Sequence, residues 1–173
     1  MGARALEFAI LTAARSGEVR GATWGEIDCE AAVWTVPGAR MKAGKEHRAP
    51  LSDAALALLA ALPQGKHDEL VFKAPRGGVL SDMTLTAVLR RMDVPAVPHG
   101  FRSTFRDWAS ERSNYPRDVA EMALAHAIGD KVEAAYRRGD LFEKRRVMMA
   151  DWAQFLARVE AKGAVIPMRA AAQ

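Results

Sequence analysis

The residues able to do chemistry in this chain are cationic and phenolic. Its four histidines, His47, His67, His99 and His126, include no pair with one another or with the single cysteine, Cys29, at zinc-ligand spacing. Neither a GxxxxGK[ST] phosphate loop nor a GxGxxG turn occurs. The sequence therefore implies no metal and no cofactor. What is left is Arg15, Lys42, His99, Arg102 and His126, with Tyr115 and Tyr136 as phenols. His99 and Arg102 stand three residues apart, on one face of a helix start where free backbone N–H groups and the helix dipole also favour an anion. That pair is shaped for a phosphate, although an isolated HxxR is also what a capping histidine and a solvated arginine produce by chance. Arg15 closes an otherwise apolar helix, with Glu18 beside it either as an orienting carboxylate or as a plain local ion pair. Taken singly, Lys42 reads as a solvated turn residue and Tyr136, in KVEAAYRRGD, as a half-buried aromatic.

The elements that must carry these residues follow from pattern. Ala3 to Arg15 is rich in helix formers, with Leu6, Ile10 and Ala13 or Ala14 at helical spacing, and reads as a buried helix. Ala32 to Val36 is β-branched and aromatic and stops at Pro37-Gly38; His47 to Leu51 is its expected antiparallel partner. Between them lies the basic hairpin tip Arg40 to Lys45. Ser52 caps a helix that ends before Pro63, Leu70 to Phe72 reads as a further strand or extended segment, and Ser81 or Asp82 starts another helix. Gly100 to Arg112, the stretch opened by Pro116, and Leu141 to Ala161 complete a mainly helical chain, and residues 162–173 read as a loose tail. The expected class is α+β, with a small antiparallel sheet near the N-terminal third. At 173 residues, with 25 Lys+Arg against 21 Asp+Glu, one domain is expected. The lone cysteine and the absence of a signal peptide or apolar span point to a cytoplasmic protein. A pI near 9.5 permits a nucleic-acid partner without establishing one.

The order of the motifs carries more than any one of them. RSGEVRGATW, a strand, MKAGKEHRAPLS, PHGFRSTFRDWA and LAHAIGDKVEAAYRRGD together resemble the catalytic domain of the tyrosine recombinase (phage integrase) family, nearest in wording to prophage integrases of the satellite-phage type. The resemblance runs from about Leu6 to Ala161. It implies that Arg15, supported by Glu18, and Arg102 hold a DNA phosphate, that His99 and Lys42 act as general base and general acid, that His126 adds a donor, and that Tyr136 is the nucleophile. Lys45, on the same tip, is the second choice for the lysine, and Arg40, Lys45 and Arg106 are expected to contact DNA. A free phenol, with a pKa near ~10, needs such a cationic setting to attack at neutral pH. Tyr115, directly before Pro116, matches nothing in the family's site and reads as structural. One departure is Ala125, where the family commonly has glycine before the second histidine.

The resemblance further implies site-specific recombination for prophage integration and excision, free of metal and cofactor, through a 3′-phosphotyrosyl intermediate. Double-stranded DNA attachment sites would be the partner, a homotetramer the working unit in the full-length protein, and the bacterial nucleoid the setting. Residues 1–161 are expected to be the catalytic domain, with the family's arm-binding and core-binding domains missing ahead of it and a monomer in solution. The alternatives are a DNA-binding module without catalysis and a type IB topoisomerase-like activity. The apolar residues Leu141, Met148, Trp152, Phe155 and Leu156 of the last helix fit packing in the chain's own core as well as packing onto a neighbour.

Overall fold

The computed structural model describes residues 1–126 and 139–158. Helix α1 (Gly2–Thr12) is central. Ala5, Leu6, Phe8, Ala9, Leu11 and Thr12 are buried, a spacing that leaves little of the helix facing water. It ends three residues before the expected Arg15 because Ala13 turns left-handed, with φ 50°. In that turn the N–H groups of Ala13 and Ala14 reach back to the carbonyls of Ile10 and Ala9. Arg15 then begins a separate short helix, α2 (Ser16–Arg20).

Three antiparallel strands follow in sheet order: β1 (Ile27–Asp28), β2 (Val33–Val36) and β3 (His47–Pro50). The hairpin pairs as expected, with Trp34 opposite Ala49 and Val36 opposite His47. Alternation puts Trp34 and Val36 into the core. Strand β1, only two residues long and without a period of its own, is, like α2, an element the sequence did not reveal. Leu70 to Phe72 is extended: Leu70 bridges Thr23, the Val71 N–H donates to the Ala22 carbonyl at 2.8 Å, and the Phe72 ring lies 5.4 Å from that of Phe8.

Ser52 caps α3 (Asp53–Ala60), its hydroxyl accepting from the Ala55 N–H. Helix α4 (Thr84–Arg91) starts later than expected, because Ser81 and Thr84 close a turn ahead of it through their hydroxyls at 3.0 Å. Helices α5 (Gly100–Glu111), α6 (Arg117–Ala123) and α7 (Phe142–Ala157) make up the other half. One apolar cluster joins α1 to the sheet, α3 and α4, and a second joins Phe105 and Trp108 of α5 to Val119 of α6 and to Met148 and Trp152 of α7. The Trp152 indole N–H donates to the Ile10 carbonyl at 2.9 Å and ties the two clusters together. Helix α7 thus buries Met148 and Trp152 in its own core and leaves Leu156 exposed at its end. Among the described residues no helix is long and apolar enough to cross a membrane. Residues 127–138 and the tail from 159, with the expected end of the last helix at Ala161, lie outside the described residues.

Candidate active site

Arg102 sits on the first turns of α5 and is buried, only 5% exposed, so the reading of a solvated arginine does not hold. Its surroundings explain why. Nη1 donates to the carbonyl of Ala13, at the left-handed end of α1, and Nη2 donates at 2.7 Å to the carbonyl of Leu124, at the end of α6. Two helix C-termini, each carrying carbonyls without helical partners and the negative end of a dipole, therefore converge on one guanidinium. Burial, and then the nearby charge of Arg15 set against that of Glu18, lowers its pKa to about 10, which keeps it charged at neutral pH.

Arg15 stands beside it, at the start of α2. Its backbone N–H donates to Glu18 Oε2 at 2.9 Å and its Nη1 to Oε1 at 2.7 Å, so the acid both caps the short helix and aims the guanidinium. Glu18 is itself buried. The orienting-carboxylate reading and the ion-pair reading of this RxxE describe the same contact.

His126 follows α6 by a C-terminal turn in which its N–H donates to the Glu121 carbonyl and that of Ala125 to Met122. Its Nδ1 lies 2.7 Å from Glu121 Oε2 and its Nε2 3.4 Å from Arg102 Nη2. Burial alone would raise the carboxyl pKa of Glu121; hydrogen bonds from His126 and Arg106 hold it below its usual value instead. Arg106, expected to touch DNA, donates from Nε to Glu121 Oε1 at 2.7 Å and so steadies the acid that orients His126.

The turn also explains the family's glycine. Ala125 adopts φ 49°, the left-handed region in which a Cβ is strained. Ala125→Gly is therefore expected to stabilise the fold by about 0.5–1 kcal/mol. A higher urea midpoint at unchanged slope would show it.

His99 lies one turn ahead of Arg102 and is exposed; it stands at the N-cap position in helical conformation, and its side chain makes no capping hydrogen bond. Lys42 and Lys45 are exposed at the hairpin tip, just after Met41, which is buried. Among the described residues Lys42 has no hydrogen-bond or ion-pair partner. Arg40 turns into the fold instead of outward: its guanidinium pairs with Glu26 and donates to the Glu18 carbonyl at 2.8 Å. Gly21 makes room for it, since a Cβ there would meet Arg40 Nη1 at 2.8 Å. Tyr136 lies outside the described residues. Tyr115 is bound into the second core edge, its hydroxyl donating to Asp151; burial and then that carboxylate push its pKa up to about 12, the opposite of what a nucleophile needs.

Three groups escaped the sequence reading. Glu121 offered no motif. His47, counted only as a histidine without a metal partner, lies on β3 among the site's charges; burial first, then Arg145, Arg102 and Arg15, outweigh Glu18 and lower its pKa to about 4, so it is neutral at physiological pH. Arg145 is a charge on the apolar stripe of α7, and that position was the available signal.

A small antiparallel sheet packed among helices, with two arginines, an orienting acid and a carboxylate-bound histidine gathered at helix ends, is the architecture of a tyrosine recombinase catalytic domain. The sequence profile of the phage integrase family matches residues 2–140, and the chain belongs to that family. It is similar to the prophage integrase IntA of Escherichia coli strain K12, at 36% identity over 162 residues covering 91% of this chain and 39% of the relative. The integrase of Enterobacteria phage P4 is 33% identical over 172 residues, covering 88% and 39%. That of Shigella phage Sf6 is 31% identical over 151 residues, covering 84% and 39%. The chain thus spans about two-fifths of the length of these relatives. No solved structure matches it significantly.

Proposed function

We propose that this chain cuts and rejoins DNA at specific sites through a covalent phosphotyrosyl intermediate, and that it serves the integration and excision of a mobile element. The observation that carries the proposal is the convergence on Arg102: one buried guanidinium is held by the helix ends next to Arg15 and next to His126. The three cationic or donor groups that a single phosphate needs are thereby fixed to one another by backbone.

In this reading the Tyr136 oxygen attacks the phosphorus while His99 takes the phenol proton. The bond from phosphorus to the 5′-oxygen breaks, and Lys42 gives that oxygen its proton. A 3′-phosphotyrosyl link and a free 5′-hydroxyl result, and attack by another 5′-hydroxyl reverses the step, so the bond energy is kept. Charge on the non-bridging oxygens is met by the paired N–H donors of Arg15 and Arg102. His126, oriented through Nδ1 by the Glu121 carboxylate, presents its Nε2 on the same side. The hairpin brings Lys42, with Lys45 as a backbone contact, to a phosphate held at the arginines. Double-stranded DNA is the partner, and exchange between two duplexes calls for a tetramer.

The test is covalent capture. The protein is incubated, in chelator and without added metal, with a pool of nicked duplexes of randomised sequence around the nick. The expected result is a denaturation-resistant protein–DNA adduct that is absent in Tyr136→Phe. An adduct that survives this substitution would remove Tyr136 as nucleophile, and DNA binding with no adduct would leave a binding module.

A further inference from the structure

We infer that Arg145 and Asp140 form a positioning clamp that fixes, four residues past Tyr136, where the nucleophile's segment returns to the sheet. Arg145 is 1% exposed, on the face of α7 that otherwise holds Met148, Met149 and Trp152. All three of its guanidinium nitrogens are used at one seam. Nε donates to the Asp140 carbonyl at 2.8 Å, Nη2 to Asp140 Oδ2 at 2.7 Å, and Nη1 to the carbonyl of Arg48 on β3. Arg48 closes the arrangement from the other side, with Nε 3.2 Å from the same Asp140 oxygen and its guanidinium 4.1 Å over the Phe142 ring. Asp140 Oδ1 accepts from the Phe142 N–H at 3.2 Å, and Leu141 between them takes the left-handed φ of 52°. The chain therefore enters α7 through a single bonded geometry.

Burying the Arg145 guanidinium is costly and its pair with Asp140, whose side chain is 47% exposed, returns little, so stability alone does not account for a charge on this stripe. Geometry does. Strand β3 is the return strand of the hairpin that bears Lys42, and His47 next to Arg48 lies among the charges of Arg15 and Arg102. Anchoring Asp140 to β3 references the segment that bears the nucleophile to the element that bears the acid. The preceding end of that segment is fixed separately, at His126 by Glu121 and Arg102. A displacement of about 1 Å in a reacting group can cost on the order of a hundredfold in rate, which is the scale on which such a clamp acts.

The inference rests on the reading of Tyr136 as nucleophile, and its test separates the two. Asp140→Asn leaves Arg145 its two backbone acceptors and is the gentler probe; Arg145→Lys is the second. On a duplex selected from the nicked pool, single-turnover adduct formation at saturating DNA is expected to fall at least about tenfold in both variants, with the half-saturating DNA concentration within about twofold of wild type. Cleavage by trypsin after Arg137 and Arg138 is expected to quicken in Asp140→Asn while cleavage after Arg91 is unchanged. Wild-type rates at saturation, or a rate loss that only follows a lowered melting temperature, would overturn the clamp. If the wild type forms no adduct, the Tyr136 reading falls and the trypsin pattern alone decides whether Asp140 holds the segment: unchanged cleavage overturns the clamp, faster cleavage supports it.

Discussion

Replacing Arg102 with lysine is expected to lower the rate of covalent adduct formation by about 10²–10³-fold, the scale seen when one preorganised donor to a transition-state oxyanion is removed. The size follows from what the planar fork does. Nη1 and Nη2 are each committed to a helix-terminal carbonyl, and Nη2 also lies 3.4 Å from His126 Nε2. An ammonium group is a point donor on a flexible stem; it can serve one carbonyl or the phosphate, not both carbonyls and a phosphate at fixed angles. The variant keeps the positive charge, so weak binding of DNA through general electrostatics should change far less than the rate. It also leaves a carbonyl at Ala13 or Leu124 without its charged donor, and the fold should lose about 1.5–3 kcal/mol, read as a lower melting temperature. A variant that kept the wild-type rate would show that the phosphate is not held at Arg102.

Much of this candidate site was visible in the sequence because its charged groups sit at fixed short offsets. Arg15 with Glu18 and His99 with Arg102 are each one helical turn apart, and the hairpin that carries Lys42 is bounded by an alternating strand and Pro37-Gly38. What could not be read was the reason these pieces meet. The acceptors of Arg102 come from Ala13, 89 residues away, and Leu124, 22 residues away. They are exposed as acceptors only because Ala13 and Ala125 turn left-handed. Alanine is the best helix former, so a pattern reading carries α1 straight through to Arg15. The structure stops it at Thr12, because the turn satisfies the last carbonyls and frees Ala13 to face the guanidinium. His47 and Arg145 were missed for a related reason. His47 is set by charges that other elements bring, and Arg145 by the Arg48 carbonyl on β3 together with Asp140, five residues before it at a spacing that matches no helical turn.

Glu18→Gln should separate the structural from the catalytic meaning of the charge cluster. Glu18 is the buried carboxylate among Arg15, Arg102 and His47, and its charge favours protonation of the latter two. The amide keeps the shape and can still accept one hydrogen bond from Arg15, but the charge is gone. Arg15 and Arg102 would then face each other across a low-dielectric site without the anion that offsets them. Breaking a buried pair by removing one partner costs about 3–5 kcal/mol; since Arg15 is about a quarter exposed, a loss of about 2 kcal/mol is expected. The consequence specific to a phosphate site concerns anions. An ion that binds the folded state stabilises it by mass action, and the variant's cradle is short of one negative charge. Inorganic phosphate should therefore raise the melting temperature of Glu18→Gln more than that of the wild type, with chloride at equal ionic strength giving no such difference. Equal gains in both proteins would mean that the arginines are placed to pair with Glu18 and not to receive a phosphate. A larger gain in the variant would place the anion at the arginines without any reference to turnover, and so test the cradle independently of Tyr136.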